Sequence, residues 1–453
     1  MAYLVYNVVL LLAAPFILLT LAAKKRCRRG IPQRLGALPA SLAADGPPRR
    51  PLVWVHAVSL GEATAAVPLV RALHDRYPEC RFLVTTVTET GREVVESRLA
   101  GIAAHAYAPL DFPWVVSGVL DRLRPTLCLV VETELWPNWL AALARRGVPT
   151  VVVNGRLSSR SFGRYRRIRF FMKQVLAHVT LALVQSERDR ERFAALGLPA
   201  ERIVRTGNLK FDQPLPASNV IPARDALGLA PDDEPIVAGS THPVEEEHVL
   251  TAYRALIAAH PRLVLVLAPR HIERAQETET AARAAGFPTV RRSVIGRDAG
   301  AAVTGRPRVV ILDTRGELAS IYRYAVLAYV GGTLVPVGGH NLLEPAAWGI
   351  PVFFGPSTDH CAEVAALLEG AGGGIRVRDA RELAEAADRL LQDRQALANA
   401  GAAARQVVED NRGAIAQAVA QIAAVMDRAP DRMKGQGLGP LASPAFAKGA
   451  GRG

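Results

Sequence analysis

Two kinds of segment alternate along most of the chain. Short runs apolar at nearly every position are followed by longer stretches in which apolar residues return every three or four. PLVWVHAVSL (51–60), RFLVTTVT (81–88), TLCLVVE (126–132), PTVVVNG (149–155) and LALVQS (181–186) have strand length, and Gly61 to Tyr77 has the period of a helix with one apolar face. Runs apolar throughout and separated by helices predict a parallel sheet covered on both faces. The proline-rich segment FDQPLPASNVIPAR (211–224) breaks the rhythm and predicts a linker at 213–224. A second series begins beyond it: EPIVAGS (234–240), LVLVLAPR (263–270), PRVVILD (307–313), AVLAYVGG (325–332) and IPVFFG (350–355). The expected architecture is therefore α/β, with two doubly wound, Rossmann-like domains (35–212 and 225–428) facing a cleft. Ligands in such sheets sit beyond the carboxyl ends of the strands, so polar residues there are the candidates. The Gly/Pro/Ala-rich tail, 429–453, is expected to be disordered.

The first residues follow neither pattern. Residues 2–23 carry no charge and are almost wholly apolar, a run that spans roughly 30 Å as a helix, the thickness of bilayer hydrocarbon. Lys24, Lys25, Arg26, Arg28 and Arg29 follow at once, so the positive-inside rule predicts an anchor (1–34 with its basic flank) whose following domains are cytoplasmic. A cleaved signal peptide, the rival reading, places its charge before the apolar run. Pro15 leaves open a kinked span or a helix lying in the interface.

The net charge of +13 equals the excess in two acid-free stretches, 24–34 with six Lys/Arg and 156–173 with seven. Only 6% of residues are aromatic, which argues against a nucleic-acid groove and for an anionic membrane as the partner of this charge. Four separated cysteines, Cys27, Cys80, Cys128 and Cys361, suggest neither a disulfide framework nor a zinc site.

Several strand ends carry candidate chemistry. Glu62 follows the first strand at a helix start, where the dipole and free N–H groups are expected to hold it ionised as a proton acceptor; a plain first-turn glutamate is the alternative. Glu132 directly follows TLCLVV, and a carboxylate leaving a buried strand is costly unless used or paired, although Thr133, Glu134 and Pro137 also suit a helix cap. Lys210 offers a cation at the domain border. The stretch 154–173, with Arg164, Arg166 and Arg167 among Phe, Tyr and Ile, suits an anionic lipid head group. In the second series, Ala238 to His242 opens a helix rich in Glu245, Glu246 and Glu247. Pro269-Arg270-His271 and Arg315-Gly316-Glu317 end strands, and two glycine pairs bracket a loop leading to Asn341-Leu342-Leu343-Glu344, whose Asn and Glu lie one helical turn apart. The chain has no HExxH, no P-loop and no Asp-x-Asp, so a metal-free mechanism is the default.

Together, GEATAAVPL, ETELWPN, NGRLSSRSFGRY, GNLKFD, AGSTHPVEEE, PRHIER, GELASIY and VGGTLVPVGGHNLLEPAAWGIPVFFGP, spread over about 50–425, closely resemble the 3-deoxy-D-manno-octulosonic acid (Kdo) transferases of lipopolysaccharide synthesis. The resemblance implies a GT-B glycosyltransferase that moves Kdo from CMP-Kdo to the lipid A precursor at the inner membrane, with anomeric inversion. CMP-Kdo is then a co-substrate, and no cofactor and no metal are expected. It further implies Glu62 as proton acceptor, Glu132 and Lys210 as transition-state stabilisers, and Pro269, Arg270, His271, Arg315, Gly316, Glu317 and Asn341 to Glu344 around CMP. A UDP-sugar transferase and a non-catalytic nucleotide-binding regulator are the rival readings; the latter has no use for Glu62 or Glu132.

Overall fold

The structure, a computed structural model, describes residues 1–23, 30–39, 42, 50–213, 222, 224–295 and 306–428. The basic flank at 24–29, most of the expected linker and the tail at 429–453 lie outside the described residues. Contacts divide the chain into two units, Met1–Gln213 with the segment from Arg412 onward, and Pro214–Asn411.

The first unit holds seven parallel strands: β1 (Leu52–His56), β2 (Arg81–Thr86), β3 (Ala103–Tyr107), β4 (Leu127–Val131), β5 (Thr150–Gly155), β6 (Leu181–Val184) and β7 (Ile203–Arg205). They lie in the order β3-β2-β1-β4-β5-β6-β7. The second unit holds β8 (Glu234–Thr241), β9 (Leu263–Pro269), β10 (Thr289–Arg291), β11 (Val309–Ile311), β12 (Leu327–Val330), β13 (Val352–Phe354) and β14 (Gly374–Arg376), in the order β10-β11-β9-β8-β12-β13-β14. Every pairing is parallel, and β1, β4, β5, β6, β9 and β12 are buried at every position, because helices cover both faces. The two doubly wound sheets agree with the pattern read from the sequence. Four strands absent from that reading, β3, β7, β10 and β14, are the four sheet edges.

One assignment needs correcting. The helix Ala414–Asp427, expected in the second domain, packs in the first unit. Its face of Ala414, Ala418, Ile422 and Met426 joins the cluster that contains Leu69, Val70 and Leu73 of the helix Leu60–Arg76. The Asp212 carboxylate, at the end of the first run of chain, accepts from Gly413 N (2.7 Å) and Ile415 N (2.6 Å) and so caps the returning helix.

The helix Ala2–Ala23 has no buried residue, and Leu4, Leu12, Phe16 and Leu19 are each more than 60% exposed. Its first two turns are nevertheless fixed to the first unit. Tyr6 Oη donates to Asp111 (2.8 Å), Asn138 Nδ2 donates to Asn7 Oδ1 (2.6 Å) and Tyr3 Oη donates to the Pro137 carbonyl (3.3 Å). Both tyrosine rings lie against Phe171, at 5.4 and 5.7 Å between centroids.

The fold predicts that Ile422→Ala, at a position fully buried in the returning helix, destabilises the first unit by about 2–4 kcal/mol through the cavity it leaves. A lower urea midpoint of tryptophan fluorescence checks this, since Trp54, Trp114, Trp136 and Trp139 report on that unit.

Candidate functional site

In each sheet the strand order reverses once, between β1 and β4 in the first unit and between β8 and β12 in the second, and at such a point the helices that follow the two strands leave on opposite faces and open a crevice. Glu62 and Glu132 leave the strands on either side of the first, and His242 and the glycine loop those on either side of the second.

In the first unit, β1 ends at His56, whose ring is wedged edge-on between Trp136 (4.9 Å) and Trp139 (4.8 Å) and bonds Thr85 Oγ1 through Nδ1 (3.0 Å). Burial drives its pKa down to about 3, so it is a neutral brace under the turn that follows. Ser59 then caps the helix Leu60–Arg76, and Glu62 folds back over the cap. Its Oε2 accepts from Val58 N (2.6 Å) and its Oε1 from Ser59 Oγ (3.0 Å).

The expectation that the helix start holds Glu62 ionised is not met. Its pKa rises to about 7, first through burial and then through the like charges of Glu132 and Glu134; the two hydrogen bonds offset only part of this. A proton acceptor poised near neutrality is better matched to abstracting a hydroxyl proton than a fully acidic carboxyl is.

Across the switch point, Glu132 follows β4 in the left-handed region (φ 59°), a conformation that costs a non-glycine residue energy and turns its side chain out of the strand line. Lys210 Nζ meets Glu132 Oε1 at 3.2 Å. A second left-handed residue holds Lys210 in place: Asn154 (φ 55°), at the end of β5, accepts from Leu209 N through Oδ1 (3.0 Å). The structure thus joins residues 62, 132 and 210 into one group. The ETE segment does not cap the next helix. Asp111 does so, accepting from Asn138 N (3.0 Å) and Trp139 N (2.8 Å), while Glu134 accepts from the Trp136 indole (3.0 Å). Arg164, Arg166 and Arg167 are exposed on the helix Ser159–Arg167.

In the second unit a residue not singled out as a site from the sequence organises the loops. Glu245, fully buried at the start of the helix Glu245–Leu256, accepts from Gly332 N (2.7 Å), Thr333 N (2.9 Å), Leu334 N (2.9 Å), His242 N (3.0 Å) and Tyr329 Oη (2.8 Å). One carboxylate therefore ties the turn after β8 to the glycine loop after β12. The approach is so close that a Cβ on Gly331 would meet the Ser240 carbonyl at 2.4 Å. Ser240 (φ 55°) and the β-branched Val244 (φ 76°) are left-handed in this turn, strain that the Glu245 bonds hold in place.

Glu246 fixes the third loop, receiving a two-pronged bond from Arg274 (3.0 and 3.0 Å), close beyond Pro269-Arg270-His271. His242 and His340 meet Nε2 to Nε2 at 2.8 Å, and His271 lies edge-on to His242 at 6.2 Å. Burial first, then Arg270 and the other imidazoles, pushes His340 down to about 3, so the pair is neutral with complementary tautomers.

Arg315 pairs with Glu273 at the surface (2.9 Å), Gly316 makes a left-handed turn, and Glu317 is held by Arg292 (2.9 Å) and Thr314. Asn341 Nδ2 donates to Glu344 (3.1 Å), while Leu342 and Leu343 are buried and serve packing. The loops after β8, β9 and β12 thus present cationic and imidazole groups, a set suited to a phosphate. Among the described residues no group of three or more His, Cys, Asp or Glu is placed to hold a metal ion.

Residues 29–213 match the family model described as 3-deoxy-D-manno-octulosonic-acid transferase (kdotransferase). The chain is similar to the 3-deoxy-D-manno-octulosonic acid transferases of Haemophilus influenzae (35% identical over 416 residues, 90% of this chain and 95% of that one) and Bordetella pertussis (36% over 417 residues, 88% and 94%). In fold it is similar to a UDP-GlcNAc 2-epimerase from Neisseria meningitidis, with a TM-score of 0.58, 12% identity, and coverage of 82% of this chain and 100% of that one. That likeness concerns architecture alone.

Three proteins test the site: the wild type, Lys210→Met and Glu245→Gln. With the Glu62 pKa raised to about 7, a reaction that uses this carboxylate as its base should show kcat/KM about tenfold higher at pH 8 than at pH 6. Lys210→Met should move this acid limb to higher pH, because Glu132 then repels a second negative charge unscreened; a pH series on both proteins reads it. Glu245→Gln places an amide against backbone N–H donors and is expected to cost roughly 2–4 kcal/mol of stability. It should also loosen the turn after β8 and the glycine loop after β12, read as faster amide exchange at Gly332, Thr333 and Leu334.

Proposed function

The chain belongs to the Kdo transferase family of glycosyltransferases, and on that premise we propose that it transfers Kdo from CMP-Kdo to the lipid A precursor, lipid IVA, with release of CMP and inversion at the anomeric carbon. The observation that carries the reading is the joining of Glu62 with the Glu132–Lys210 ion pair at the switch point of the first sheet.

Glu62 removes the proton of a lipid hydroxyl. The hydroxyl oxygen forms a bond to the anomeric carbon of Kdo, the bond from that carbon to the CMP phosphate breaks, and its electron pair leaves with CMP. Neutral Glu62 then returns its proton to water. The Glu132–Lys210 pair supplies fixed charge beside this transfer, with Lys210 facing the negative charge that develops. The second unit holds CMP through the loops carrying Pro269, Arg270 and His271, Arg315 to Glu317, and Asn341 to Glu344. A single phosphate leaves, so the Arg270 guanidinium meets its charge while the neutral imidazoles offer it hydrogen bonds, and no cofactor or metal enters the proposal. The enzyme works at the cytoplasmic face of the inner membrane, held by its apolar first helix, the basic residues that follow it, and the exposed Arg164, Arg166 and Arg167.

The test is a transfer assay with CMP-Kdo made in situ and a tetra-acylated lipid A precursor, read by mass spectrometry for wild type and Glu62→Gln. Product heavier by one or more Kdo units from the wild type alone, with CMP affinity of the variant nearly unchanged, is the expected result. Equal product from both proteins removes Glu62 as base, and product only with a UDP-sugar overturns the donor. Replacing Arg164, Arg166 and Arg167 with Ser should reduce co-sedimentation with anionic vesicles more than CMP binding.

A further inference from the structure

The first helix has the length and composition of a bilayer span, yet its connections do not allow it to be one. In a span, residues 3–7 emerge on the side opposite to residues 30–36. Here both segments bond to the same folded unit, and at adjacent residues. Tyr6 donates to Asp111, while Leu110 N donates to the Arg34 carbonyl at 2.8 Å. Asn7 is held by Asn138, and Arg34 reaches the Val87 carbonyl at 2.6 Å. A bilayer's hydrocarbon is about 30 Å thick, and a water-soluble α/β unit cannot lie on both sides of it.

We propose that the helix Ala2–Ala23 is monotopic: it enters and leaves one leaflet from the same side, with the chain's N-terminus on the side of the catalytic units.

The polar residues of its first two turns are those that make this possible. Tyr3, Tyr6 and Asn7 satisfy their polar atoms on Pro137, Asp111 and Asn138 of the folded unit, which leaves the outward apolar surface to the acyl chains. The surroundings fit an anionic leaflet. Phe171, against which both tyrosines pack, follows the exposed Arg169 and the 77%-exposed Phe170, and Arg164, Arg166 and Arg167 lie one helix earlier. Trp114, 60% exposed and stacked on Phe112, stands three residues beyond Asp111, and interfacial positions favour tryptophan. Apolar helix, aromatic rim and arginines thus share one side of the unit, a combination that binds one leaflet by burial and by charge together.

The inference rests on the proposed membrane placement, and the experiment separates the two. Full-length protein with Cys27→Ser and Cys361→Ser carries either Ala2→Cys or, as a reporter on the catalytic side, Glu201→Cys, and is treated with a membrane-impermeant maleimide in sealed right-side-out and everted inner-membrane vesicles. The expected result is that residues 2 and 201 are both labelled in everted vesicles and both protected in right-side-out ones. Labelling of residue 2 in right-side-out vesicles, with residue 201 still protected, establishes a span and overturns the proposal. Recovery of the protein in the soluble fraction overturns the membrane placement beneath it.

Discussion

A parallel sheet covered by helices on both faces has no wet surface along its strands. β4, β5 and β9 are buried from end to end, so any polar chemistry has to come off the carboxyl ends, and only where neighbouring connections part is there room for a ligand. Both units obey this constraint. It explains why Glu62, Glu132 and Lys210, separated by up to 148 positions in sequence, converge, and why His242, Arg270 and His340 do so in the other unit. It also explains the left-handed backbone at Glu132, Asn154 and Ser240: a chain leaving a strand must turn at once, and a side chain needed there is carried through the turn.

Carboxylates perform opposite tasks at the two switch points, and surroundings decide which. Glu245 is buried among backbone donors, and its charge is spent wholly on holding loops together. Glu62 is largely buried and lies near two other carboxylates, which its two donors offset only in part, so its pKa is raised to about 7. The same side chain is a fixed strut in one place and a group with a raised pKa in the other because the surroundings differ, not the chemistry of the group.

Much of this was legible in the sequence for one physical reason: central strands are buried on both faces and write themselves as unbroken apolar runs. The edges do not. β3 (AAHAY), β7, β10 and β14 are short, pair on one side only and carry polar or small residues, so their sequences blend into loops. The positions of Glu62 and Glu132 followed from strand ends, but the pKa of Glu62 did not, since it depends on charges 70 and 72 residues away. Glu245 was visible within AGSTHPVEEE only as one of three first-turn glutamates. Nothing local shows that it reaches a loop 87 to 89 residues on. The packing of Ala414–Asp427 was hidden likewise, because an apolar face does not name its partner.

That returning helix has a consequence for how the protein is made. The face of Leu60–Arg76 that carries Leu69, Val70 and Leu73 waits for Ile422 and Met426, which leave the ribosome only after some two hundred residues of the second unit. Through that interval the nascent first unit presents an uncovered apolar patch, the kind of surface to which chaperones bind and at which chains aggregate. A transcript cut short anywhere between the two crossings yields a polypeptide whose first unit lacks its lid, so quality control of this chain is in effect a check that translation reached Ala414–Asp427.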